Sequence, residues 1–267
     1  MTVTGLLTDA LAGRLGPSPA ELTATSVFWL HHGTRLADGD VTYRNQYVLV
    51  RCGTSFGACA FEADEVEPGP CAEASGQPLA TLLRSGPLPL RVAALDAYLA
   101  SLQPFRDDPR AERVTLPAGT PERRAHARDA AIAELLHVGS GAKVALIGVV
   151  NPLVAAIRDR GAECLPCDFN LRRTQWGDPV SNDMHQVLGA ADAVVATGMT
   201  IGNGTFDTIL SACRDRGLPL LVYAQSGAAI ARAFLSTGVS ALSAEPFPFS
   251  QFSADPTTLY RYRTDQS

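Results

Sequence analysis

Lysine is almost missing from this chain: of its 22 basic side chains only Lys143 is a lysine. Schiff-base chemistry, with pyridoxal phosphate or a carbonyl substrate, would therefore rest on one residue. That residue opens an apolar strand, where an exposed ammonium is the expected role, so pyridoxal chemistry is excluded. Long hydrophobic runs are also lacking. No segment approaches the ~20 apolar residues that a bilayer span requires. No basic start precedes a greasy segment at the N-terminus, so no secretory signal is read, and the protein is expected to be soluble and cytoplasmic. Net positive charge is lacking too. A formal charge of −5 argues against a broad nucleic-acid footprint. Apolar residues at 46% against 18% charged leave no case for disorder. The wealth of Ala, Gly and Pro beside arginine suggests a GC-rich, actinobacterial source.

Metal signatures are equally thin. Of the six cysteines, only Cys164 and Cys167 have suggestive spacing, and no second Cys/His pair completes a zinc site. A redox pair should open a helix, whereas this one lies in an apparent strand. His31-His32 ends another strand, where neighbours face opposite ways. His126, His137 and His185 lack companions. No metal site is expected.

The C-terminal half alternates strand and helix. Lys143–Val150, Glu163–Asp168, Asp192–Thr197, Leu218–Ala224 and Val239–Leu242 read as strands. Leu153–Arg160, a helix reaching Leu188, Thr205–Arg216 and Ala228–Ser236 read as helices between them. Repeated units of this length predict a parallel sheet with helices on both faces. The first half reads as a helix over Leu6–Leu15, then strands at Ser26–His31, Tyr47–Cys52 and Ala58–Phe61, with Gly33, Asp38-Gly39 and Gly53 as turns. Helices at Leu79–Arg84 and Leu90–Leu102 follow. That order predicts a small α+β domain over 1–120 and an α/β domain over 121–267. The stretch Gln103–Pro121 reads as a surface connection, and Arg123–Leu136 as a bridging helix.

Four segments, Pro87–Leu99, Lys143–Gly148, Thr197–Thr205 and Leu220–Ser226, resemble a family known chiefly as a domain of unknown function and labelled as heavy-metal chelation proteins. The resemblance implies a Rossmann-like α/β domain preceded by an enolase-N-terminal-like domain. Its most specific part is the Thr-Gly…Asn-Gly-Thr segment, and Asp96 stands where the resemblance implies Asn.

Val194–Thr205 is the most informative stretch: a β-branched run, a small-residue loop, then a helix start. Unpaired amides and the helix dipole would favour a small anion there, although Asn203 and Gly204 could equally serve only to cap a helix. Ligands of open parallel sheets bind beyond the carboxyl ends of the strands. That edge would gather Gly148, Asn151, Asp168, Thr197, Gly198, Thr200, Asn203, Gly204, Thr205 and Ser226. Gly148 alone does not make a dinucleotide fingerprint, so nicotinamide is not expected. The expectation is a cofactor-independent biosynthetic enzyme, a lyase or cyclase, acting on a small anionic metabolite between the domains by elimination or intramolecular displacement. Asp96 or Glu62 would be its base. The alternatives are a non-catalytic carrier of a metal chelate and a scaffold needing a second subunit, in a homo- or hetero-oligomer.

Overall fold

The computed structural model describes residues 1–35, 42–62 and 65–264, so the turn expected at Asp38-Gly39 lies outside the described residues. The chain opens with helix α1 (Val3–Leu11), which Thr2 caps by accepting the Gly5 N–H on Oγ1 at 3.0 Å. Strands β1 (Ala24–Arg35), β2 (Thr42–Cys52) and β3 (Ser55–Phe61) form an antiparallel sheet in that order. Its centre is apolar on both faces. Val48, Val50 and Cys59 join one core, while Tyr47, Leu49, Ala58 and Ala60 pack around Phe249. The sheet therefore needs cover on each side. Helices α2 (Pro68–Glu73), α3 (Leu79–Ser85) and α4 (Leu88–Leu102) follow. α4 lies across β2 and β3 and is buried nearly all round, from Leu90 to Ala100.

The second sheet has seven strands. They are β4 (Glu112–Leu116), β5 (Lys143–Ile147), β6 (Glu163–Cys167), β7 (Ala193–Thr197), β8 (Leu220–Ala224), β9 (Ala241–Ala244) and β10 (Thr257–Arg263), in the order β4-β10-β9-β8-β7-β5-β6. The five strands from β9 to β6 run parallel, and β10 pairs antiparallel with both β9 and β4. β4 corrects the sequence reading: the supposed surface connection holds an edge strand of the large sheet. The helices are α5 (Pro121–Ala133), α6 (Asn151–Asp159), α7 (Met184–Ala190), the single turn α8 (Met199–Gly202), α9 (Phe206–Arg216) and α10 (Ala228–Ala233). Asp183 starts α7 as expected, its Oδ1 accepting the His185 and Gln186 N–H groups at 3.0 and 3.2 Å. No helix among the described residues is long and apolar enough to cross a membrane.

One hydrophobic core joins the two sheets, since Leu95 and Ala97 of α4 belong to the same cluster as Ile201, Ala229 and Val222. Asp96 sits at the centre of that junction, 3% exposed. Its Oδ2 accepts the Ala58 N–H of β3 at 2.9 Å, and its Oδ1 accepts those of Ala229 and Ile230 at 2.7 and 3.2 Å. It thus fastens the first turn of α10 to the antiparallel sheet, which corrects its expected role as a base: both oxygens are committed to backbone.

Candidate functional site

The parallel strands end at a cleft of about 350 Å³, closed on its far side by β1 and β2. Numbered from β5, the parallel strands run 2-1-3-4-5, and the order reverses between β5 and β7. Crevices form at such reversals, because successive helices leave to opposite faces. Gly148 follows β5 there with φ +82, and a Cβ on it would lie 2.4 Å from Thr197 Cγ2. Only glycine fits this turn. Its carbonyl accepts the Tyr223 hydroxyl at 2.6 Å, and burial raises that phenol well above its ordinary range.

Five of the ten ligand positions expected from sequence line the cleft: Gly148, Asn151, Asp168, Thr197 and Ser226. Two of these are structural in detail. Asp168 Oδ2 accepts the Val149 N–H at 2.9 Å, and Oδ1 accepts those of Asn170 and Leu171 at 2.8 and 3.0 Å. Asn151 Oδ1 accepts the Gln175 N–H at 3.1 Å. Both fix the loop after β6.

Gly198, Thr200, Asn203, Gly204 and Thr205 lie off the cleft, which corrects the expected anion cradle. The Gly198 N–H donates to Tyr223 O at 2.8 Å, Ile201 to Gly198 O at 3.1 Å, and Asn203 to Met199 O at 3.0 Å. Thr200 is buried and donates through Oγ1 to Thr197 O at 2.7 Å. Asn203 Oδ1 accepts from Thr205 N and Oγ1 at 3.1 and 2.7 Å, an Asx turn leading into α9. The loop packs onto the antiparallel sheet instead: a Cβ on Gly202 would sit 2.7 Å from Ala60 O. Its small residues permit close approach of two backbones, and the amides of Gly198, Met199, Ile201, Asn203 and Thr205 are bonded within the fold. Glu62 is exposed, accepts from Asn170 Nδ2 at 3.3 Å, and is also off the cleft.

The cleft's chemistry lies largely in residues the sequence did not single out. α5 contributes Glu122, His126, Arg128 and Asp129, and β1 and β2 contribute His32, Asn45 and Tyr47. Arg124, fully buried, pins α5 in place by donating to Ser250 O at 2.9 Å, Pro117 O at 2.5 Å, Thr257 Oγ1 at 2.6 Å, and Asp255 O. Glu245, 1% exposed beyond β9, accepts from Gln225 Nε2 at 2.7 Å and from the Ser250 N–H. Among the described residues, Arg128 is the one lysine or arginine lining the cleft. Its Nε donates to Asp129 Oδ1 at 3.0 Å, and among the described residues its Nη groups make no hydrogen bond. Burial pulls the Arg128 guanidinium down, but the Asp129 and Glu245 carboxylates more than offset this and hold it above its ordinary value. Burial pushes Asp129 up, against the opposing charge of Arg128. Tyr47 is pushed up to about 12, chiefly by burial.

The metal implied by the resemblance finds no donor set. Among the described residues, no group of three or more His, Cys, Asp or Glu could hold an ion. Cys164 and Cys167 are three apart on β6 and so face opposite sides of it. Burial raises their thiols to about 12 and about 11, away from the thiolate a metal requires.

A family model described as "Putative heavy-metal chelation" (DUF364) matches residues 130–244, from within α5 to the end of β9. Arg128, Asp129 and Glu245 fall just outside that match. A crystal structure of a protein with unknown function from the same family in Desulfitobacterium hafniense DCB-2 superposes with a TM-score of 0.63 at 15% identity, covering 98% of this chain and 96% of that one. Another, from Pyrococcus horikoshii, gives 0.59 at 16% identity over 99% and 100% of the two chains. At such identities the likeness is one of fold. No curated protein matches the chain.

Proposed function

We propose that the cleft binds a small anionic metabolite through Arg128 and that the protein acts on it as a lyase or cyclase. The carrying observation is a guanidinium in the cleft wall with its Nη donors unengaged. Charge-assisted hydrogen bonds from such a group are among the stronger polar contacts available. The reversal of strand order supports reading residues 121–267, together with β4, as a Rossmann-like domain with its ligand at the reversal. The antiparallel sheet with α2, α3 and α4 supports an enolase-N-terminal-like reading of the segment before β4, so the expected boundary at 120/121 moves ahead of Glu112. The site belongs to both.

Asp129 replaces Asp96 and Glu62 as the base. It is 6% exposed and lines the cleft, and burial raises its affinity for a proton. In an elimination Asp129 takes a proton from carbon, and the C–H pair becomes the new double bond. The leaving group departs with its electron pair as an anion held by Arg128. In an intramolecular displacement Asp129 takes the proton of the substrate's own nucleophile, which closes a ring as the same bond breaks. The step takes place in a cytoplasmic enzyme on this reading. Incubating the protein with the anionic metabolites that bind it, and measuring product mass, tests the proposal. Loss of the leaving group with wild type but not with Asp129→Asn supports it. Binding without turnover by wild type contradicts the catalytic part.

A further inference from the structure

The Arg128–Asp129 pair is bonded through one atom of each partner. Nε of Arg128 meets Oδ1 of Asp129 at 3.0 Å, while Nη1, Nη2 and Oδ2 have no hydrogen-bond partner among the described residues. Both side chains line the cleft. The pair therefore presents an unengaged donor face and an unengaged acceptor side by side. The Arg128 side chain is 21% exposed and that of Asp129 6%, so the unengaged atoms are within reach of a ligand in the cleft. A second orphan lies on the β9 wall of the same cleft: Ser243 is 2% exposed, and its Oγ has no partner. Buried hydroxyls without partners are uncommon and call for an explanation. A third observation concerns sign. Among the described residues, the carboxylates of Glu122, Asp129, Asp168 and Glu245 outnumber the single guanidinium around the cavity. A ligand bearing only negative charge would meet an excess of its own sign, and Coulomb repulsion in a poorly solvated cleft is strong.

We infer that the ligand is a zwitterion, an amino-acid-like molecule carrying an ammonium close to its anionic group. Its anion lies against the Arg128 Nη donors and its ammonium against Asp129 Oδ2, so that the two opposed dipoles lie antiparallel. Ser243 Oγ supplies a further polar contact from β9. The added positive charge offsets the acidic excess that a simple anion leaves standing. This inference rests on the proposed anion site, which it narrows to a substrate class.

Matched probes test it: L-norvaline against pentanoate, L-phenylalanine against 3-phenylpropanoate, and L-glutamate against glutarate, titrated calorimetrically into the whole protein. Each pair differs only by the ammonium. The expected result is that the amino member of at least one pair binds tenfold or more tighter than its partner. That preference should be lost in Asp129→Asn while Arg128-dependent binding of the anion persists. Ser243→Ala should weaken the amino member without unfolding the protein. If the plain carboxylates bind as tightly as their amino partners, and need Arg128, the inference falls and the anion site stands. If neither member of any pair binds, the anion site itself falls. The wild-type comparison decides the matter even where a variant fails to fold.

Discussion

Asp96→Ala should loosen the junction between the two sheets, and the loss should depend on pH in a direction fixed by burial. The substitution strips the acceptor from three backbone N–H groups, those of Ala58, Ala229 and Ile230. Each buried donor left unpaired costs about 1–3 kcal/mol, so a loss of at least about 3 kcal/mol is expected when the carboxyl is neutral. Burial opposes this at higher pH. It raises Asp96 from 3.8 to about 6, despite the three N–H donors and the charge of Arg232. At 1.36 kcal/mol per unit, that shift corresponds to about 3 kcal/mol. A group raised in the folded state contributes fully below its unfolded pKa and loses that contribution as pH rises through its folded value. The stability gap between wild type and Asp96→Ala should therefore be widest below about pH 4 and shrink by up to about 3 kcal/mol by pH 8, with about half of that change falling between pH 5 and pH 8. In a chain of this size each kcal/mol moves the midpoint by about 2–4 °C. Urea unfolding followed by the fluorescence of Trp29 on β1 and Trp176 in the loop after β6, at pH 5 and pH 8, measures the gap. A gap that stays constant or widens towards pH 8 would refute the reasoning.

Arg124→Met should cost about 3–5 kcal/mol, because its buried guanidinium satisfies Ser250 O, Pro117 O, Asp255 O and Thr257 Oγ1 together; thermal denaturation checks this. Gly204→Ala should cost only about 1 kcal/mol, for a φ of +77 in open space, and leave ligand affinity unchanged, since Gly204 lies off the cleft. A tenfold loss of affinity in that variant would restore the loop as the anion cradle. Cys164→Ser should leave the metal content of the purified protein, read by elemental analysis, where it is in wild type; a stoichiometric metal that disappears would favour chelation by the β6 thiols.

The large sheet was legible where hydrophobicity is continuous. KVALI and AVVAT can only be central strands, because both faces of each are covered. β4 and β10 escaped because ERVTL and TTLYRYR interleave charged with apolar residues, and their pairing joins segments about 140 positions apart. Such a pairing has no local signature. Gly148, Asn151, Asp168, Thr197 and Ser226 were found because strand ends converge by topology, whatever their side chains. Arg128 and Asp129 were missed because PERRAHARDAAIA reads as a solvated helix. Arg124, drawn fully inside by Pro117 O nearby and by Ser250 O, Asp255 O and Thr257 Oγ1 about 130 positions on, turns that face onto the cleft. The Thr-Gly…Asn-Gly-Thr loop misled for the opposite reason. Small residues that could free amides for an anion serve equally to let Gly202 lie against the Ala60 carbonyl, and the sequence pattern of the two is the same.

Arg128 carries the functional reading, and its removal tests that reading most directly. Wild type, Arg128→Gln and Arg128→Lys would be titrated calorimetrically with glutarate, L-glutamate and inorganic phosphate at low ionic strength. A charged hydrogen bond contributes about 1.5–3 kcal/mol, so Arg128→Gln should weaken binding about 10–100-fold, with Arg128→Lys recovering part of it and all three proteins equally folded by circular dichroism. Undiminished binding by a folded Arg128→Gln protein would contradict the account.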